Sequence, residues 1–270
     1  MVTTPPSIAF WITLLLYGVS SLLYVGTLVP TPRWVPRVAR GILVLAFIAH
    51  LIEIGWRGVL GVHPGTSIRE ALGFLVWVVI GGYLLWRPKL RLDVVGAFVA
   101  PVALVILAAA RLSPSGDAID EVSRLGRIHI SMATVGVALF ALATCVSIVY
   151  LLQSRNLRRK TFDGLLFRKG VTLESVDRLS HRLVFIGFPI FTMAMMLGVI
   201  WVSQRHGGIS AFTRPEYSFA LVTWLCFGGL LAGRRLRGWR GRRAAVLTIV
   251  GFSAALLVLG IYFFRRAMTG

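Results

Sequence analysis

The chain has 270 residues, of which 57% are hydrophobic and only 14% charged, with a mean hydropathy of +0.80. Soluble domains average about 45–50% apolar and about 25% charged residues, so these values exclude a soluble fold and imply a polytopic membrane protein. The net charge of +19 would suit a nucleic-acid binder. The basic residues, however, stand in short blocks between apolar runs, as membrane orientation requires, which argues against nucleic acid as a partner.

A spanning helix needs about 20 mostly apolar residues. Eight runs qualify or come close. In chain order they cover roughly 8–28, 41–56, 70–86, 94–110, 129–153, 183–202, 217–233 and 244–264. The first lacks a basic leader and a small-residue cleavage site and reads as a retained helix rather than a signal peptide. No connection is long enough for a soluble domain, and no internal repeat is visible. The expected fold is all-α: one eight-helix membrane domain over residues 1–270, embedded in the lipid bilayer.

Orientation follows from Lys and Arg. The connections 29–40, 87–93, 154–182 and 234–243 hold 20 basic residues, and the opposite side holds 9. The excess places the first group in the cytoplasm and both termini on the outer side of a bacterial inner (cytoplasmic) membrane. The largest inner loop, 154–182, contains RNLRRK and Arg168–Lys169. It reads either as a topology signal touching anionic lipid or as a docking surface for a cytosolic partner.

Five histidines draw attention, because imidazole is a common ligand for metals and haem iron. His50 lies in the second span, in FIAHLIEIGW, with Glu53 three residues on and on the same helix face. An ionisable pair inside a span is expensive and faces the bundle interior. It serves either as a packing lock or as a ligand or proton relay. His129 opens the fifth span in LGRIHISMATVGVALF, with Ala133 and Gly136 near its face. These small residues admit a flat macrocycle or a neighbouring helix, while a histidine at a helix mouth also suits water and headgroups. His63 (GVHPGTS) and His206 (QRHGGIS) stand in outer loops, each solvated if alone, and His181 (LSHRL) anchors the inner interface.

Trp11, Trp34, Trp56, Trp86, Trp201 and Trp239 sit near span ends as an interfacial belt. Trp77 and Trp224 are deeper and are candidates to line a pocket. Cys145 and Cys226 lie inside apolar runs and read as buried free thiols. There is no phosphate-cradling glycine loop, no aqueous Ser/His/Asp order and no HExxH.

Four stretches carry a resemblance. LGRIHISMATVGVALFALATCVSIVYLL (125–152) resembles a helix of the CcsA/ResC cytochrome c assembly family and its HemX-like relatives. VDRLSHRLVFIGFPIFTMAMMLGVIW (176–201) is similar to that family's LDxLSYRxxxIGFPxLTxGxxxGxxW, with His181 where Tyr is usual. PGTSIREALGFLVWVVIGGYLLW (64–86) resembles PxSNxYESLxFLxW. GWRGRRAAVLTIVGF (238–252) resembles the run before the last helix. The length and span count suit the HemX-like branch.

The resemblance implies haem binding and transfer in cytochrome c biogenesis. Haem b would be the cofactor, and a ResB/Ccs1-type membrane protein and apocytochrome c the partners. It implies that His129 is an outer axial ligand and His50 an intramembrane one, with Glu53 tuning it and His63 or His206 supplying a second ligand. The departures are equally specific. The family's WDPKExW loop is replaced by SAFTRPEYSFALVTW (210–224). Ala232 and Phe264 stand where two further family histidines belong. The expectation is therefore an assembly factor rather than an enzyme with haem lyase activity. The alternatives are a HemX-like membrane regulator of tetrapyrrole synthesis and an accessory subunit without haem.

Overall fold

The computed structural model describes residues 5–63, 67–90, 93–112, 123–159, 172–206 and 215–269. These form eight helices and no strands among the described residues. They are α1 (Pro5–Gly26), α2 (Val35–Val59), α3 (Ile68–Leu90), α4 (Asp93–Leu112), α5 (Arg124–Arg158), α6 (Leu173–His206), α7 (Pro215–Arg237) and α8 (Arg242–Thr269). Each expected run matches one of them.

The helix ends follow local chemistry. α2 has Pro36 in its first turn, where a missing N–H costs nothing. It stops before Gly61, whose φ of 80° closes the turn. The Ser123 hydroxyl caps α5 by accepting from the Gly126 N–H at 3.3 Å. α5 thus begins five residues earlier than its apolar run, and His129 lies in the second turn rather than at the mouth.

Among the described residues, six helices are long and apolar enough to cross a membrane: α1, α2, α3, α5, α6 and α7. α4 adds a shorter apolar stretch, Val95–Arg111. Large apolar side chains line the perimeter, among them Leu15, Leu22, Leu45, Ile52, Phe185, Met196 and Leu225. In water such a surface would aggregate; in a bilayer it is the solvated face. The chain is a polytopic, all-helical membrane protein.

α1 packs on α2 and α4, α3 on α4 and α5, α5 on α6 and α8, and α7 on α8. The junction of α3 and α5 joins the first four helices to the last four. The core is aromatic and close-packed: Phe140 of α5 stacks on Phe227 of α7 at 3.7 Å and meets Phe191 of α6 edge-on at 5.5 Å. Gly136 lies against the Phe191 backbone, where an added Cβ would come within 3.2 Å of its Cα. The small face below His129 therefore receives a neighbouring helix.

Candidate functional site

Within α1–α4, His50 and Glu53 are both buried, as their shared face requires. The His50 ring meets Tyr17 of α1 edge-on at 5.8 Å, with its Nδ1 3.3 Å from the Tyr17 hydroxyl. Its Nε2 faces Gly73 of α3, 3.7 Å from where a Cβ would stand. One turn further along α2, Arg57 pairs with Glu53 at 3.4 Å and also with Glu70 of α3. Arg111 of α4 lies over the Phe10 ring at 5.2 Å and within electrostatic reach of Glu53. Glu53 Oε2 has no hydrogen-bond partner among the described residues. Sequence reasoning paired His50 with Glu53 but missed Tyr17, Arg57 and Glu70. Arg57 at i+4 from Glu53 was the available signal.

The second cluster lies between α5 and α6. His129 Nδ1 is 2.6 Å from the Ala194 carbonyl oxygen. A carbonyl only accepts, so Nδ1 is assigned the proton and Nε2 keeps the lone pair. Gly198, one turn beyond Ala194, makes room for the ring: a Cβ there would stand 2.7 Å from His129 Cε1. Trp201 is tilted beside it at 5.9 Å between centroids. Imidazoles that bind metal are commonly oriented by such an Nδ1–H bond to a carbonyl. The residues at His129 fit an axial ligand. At His50, Tyr17 and Gly73 enclose the ring, and any macrocycle there requires α2 and α3 to part.

His63 follows α2 near the start of α5. Partial burial and the adjacent Arg127 guanidinium hold its imidazole below the usual histidine range. The His206 side chain, the stretch 64–66 of PGTS, residues 160–171, the segment 210–214 and the Phe264 side chain lie outside the described residues. No group of three or more metal-ligating side chains occurs among the described residues. The neighbours of His50 (Tyr17, Gly73) and of His129 (Ala194, Gly198, Trp201) are distinct, so the two histidines belong to separate clusters.

At the opposite end, Asp177 of α6 takes a bidentate pair from Arg234 of α7 at 2.8 and 3.1 Å. The same carboxylate accepts from the Gly241 N–H at 3.2 Å. The Trp239 N–H donates to the Gly233 carbonyl at 3.1 Å, and its ring lies on Gly233. The quoted motifs around 176–201 and 238–252 meet here as a clamp across three helices. His181 lies within electrostatic reach of Asp177, Arg234 and Arg240. Trp224 donates to Thr192 at 2.9 Å and Trp77 stacks on Phe47 at 4.9 Å. Both are packed; a small apolar cleft among α3, α4, α5 and α6, lined by Gly82, Tyr83, Val95, Leu142 and Leu179, is bordered by Trp86 instead.

A family model described as cytochrome C assembly protein matches residues 66–269. The chain belongs to the cytochrome c assembly family. Among its relatives is the cytochrome c biogenesis protein CcsA of Guillardia theta, 26% identical over 97% of this chain and 90% of the relative. CcsA of Chlamydomonas reinhardtii is 28% identical over 88% and 67%, and that of Gloeobacter violaceus 25% identical over 76% and 77%. These matches do not single out a HemX-like branch. The family model spans α3–α8 and so includes His129, Gly198 and the Asp177–Arg234 clamp. His50 and Glu53 precede it, within reach of the longest of these alignments.

Proposed function

We propose that this assembly-family protein binds and transfers haem in cytochrome c biogenesis, with His129 Nε2 as axial ligand near the outer surface. The observation that carries this reading is the His129 geometry: one nitrogen committed to a carbonyl, the other left as a donor beside a glycine. Haem b would supply the iron that Nε2 ligates. The protein's own part is to fix the tautomer, orient the ring and hold the site against Trp201. His50 is proposed as an intramembrane ligand, with Glu53 setting its environment and the Arg57–Glu70 pair tying α2 to α3. His63 is proposed as a second ligand, and His206 as the alternative second ligand.

Beyond ligating iron, these side chains need make or break no covalent bond of haem or apocytochrome, so the role is that of an assembly factor, and no lyase step is assigned to it. The proposed setting is a bacterial cytoplasmic membrane with both termini outside, beside a ResB-type membrane partner and apocytochrome c. The names of the relatives favour biogenesis over regulation of tetrapyrrole synthesis. The experiment is genetic. Deleting the gene in its host is expected to remove covalent haem from membrane c-type cytochromes on a haem-stained gel, and the wild-type copy to restore it. Unchanged cytochrome haem in the deletion strain would overturn the proposal.

A further inference from the structure

We infer that the turn between α7 and α8 binds the phosphate headgroup of an anionic phospholipid. Residues 234–243 read RRLRGWRGRR, six arginines without an acid. Arg234 is committed to Asp177. Arg235, Arg237, Arg240, Arg242 and Arg243 are exposed, and none of the five pairs with a carboxylate among the described residues.

The turn that carries them is fixed from within. Gly238 and Gly241 adopt φ of 63° and 67°, a left-handed backbone that side chains resist. Asp177 holds the Gly241 N–H, and the Gly233 carbonyl holds that of Trp239. Five guanidinium groups are therefore displayed from a set frame. α8 also opens with Arg242 and Arg243 and has no acid in its first turn. A helix N-terminus is partly positive and favours anions; Asp177 meets it at the Gly241 N–H, but no acid in the first turn offsets Arg242 and Arg243. A phosphate answers both charges, and guanidinium matches it with forked N–H donors.

The apolar surroundings select the source of that phosphate. Leu236, between Arg235 and Arg237, is 81% exposed, and Val246 and Val250 on α8 are exposed too. A ligand with an acidic head and hydrocarbon chains covers both kinds of surface. A nucleic acid or an acidic peptide would answer the arginines and leave the apolar side chains uncovered. This inference does not rest on haem binding.

The test uses the full chain in detergent micelles doped with dioleoylphosphatidylglycerol or dioleoylphosphatidylcholine, with retained lipid read by native mass spectrometry. Wild type is expected to retain the phosphatidylglycerol and not the phosphatidylcholine. R237Q/R240Q/R243Q, which leaves the Asp177–Arg234 pair intact, is expected to bind it roughly a hundredfold more weakly, since each of the three surface charges is worth about a fivefold factor. R33Q/R37Q/R40Q, at the same end of the bundle, is expected to retain it. Equal retention of both lipids, full retention by the first variant, or equal loss in the second would overturn the site. Displacement of the lipid by equimolar inorganic phosphate would overturn the lipid as its occupant.

Discussion

His129 and Ala194 are joined across α5 and α6 by a 2.6 Å contact from imidazole Nδ1 to carbonyl oxygen. The partners are 65 residues apart in sequence, and the bond decides which face of the imidazole is chemically available. Gly198 belongs to the same arrangement, because only hydrogen leaves the ring its place. Gly198→Ala improves helix propensity by about 0.5–1 kcal/mol, yet its Cβ would stand 2.7 Å from Cε1. The ring must turn. The expected outcome is unchanged or higher thermal stability with weakened haem binding, read by melting and haem titration of one preparation. Wild-type haem affinity in this variant would contradict the assigned geometry.

Asp177 and Arg234 are 15% and 9% exposed and share two hydrogen bonds. Asp177→Asn leaves Arg234 charged with a weaker acceptor and loosens the Gly241 N–H. Removing one partner of a fully buried pair costs about 3–5 kcal/mol; the residual exposure lowers this to about 2–3 kcal/mol through solvent screening. A lower unfolding midpoint in detergent checks it. Because the clamp lies at the far end from His129, haem affinity is expected to change little.

The eight helices were legible because hydropathy marks what crosses hydrocarbon. Hydropathy stops where side chains turn polar, whereas the backbone ladder continues into the headgroup region. α6 therefore runs from Leu173 to His206 although its apolar run covers only 183–202. The site was legible only in part. Period 3.6 placed His50 and Glu53 on one face, and both are buried. The same logic read the small face at Gly136 as room for a macrocycle or a neighbouring helix, and the α6 backbone at Phe191 lies against it. The glycine that accommodates His129 is Gly198, on another helix. Residues brought together across helices, such as Tyr17 with His50 and Asp177 with Arg234, leave no periodic trace in one sequence.

His63 gives a pH-dependent signature. Its imidazole pKa lies below the ordinary 6.5, first through burial and then through Arg127. The sign follows from the lowered folded value: the unfolded chain binds the proton more readily. The contribution to stability is thus complete above about pH 6.5 and is lost as pH falls through the folded pKa. Arg127→Gln is expected to move the His63 titration upward, measured by NMR of labelled histidine. An unmoved midpoint would contradict the proximity of the α2 end to the start of α5.

The charge asymmetry predicts orientation. Alkaline phosphatase fused after Gly270 is expected to be active in a bacterial host, and a green fluorescent protein inserted in 154–182 to fluoresce. The reverse pattern would invert the assignment and move His129 to the cytoplasmic side.

The central claim is that His129 ligates haem iron. The most direct measurement is the visible spectrum of detergent-purified, haem-loaded protein, comparing wild type with His129→Gly in the absence and presence of added imidazole. A cavity left by a removed ligand can accept the free base. The account predicts a Soret band in wild type, a diminished and shifted band in the variant, and recovery when imidazole is added. A variant spectrum identical to wild type, or no haem in any preparation, would contradict it.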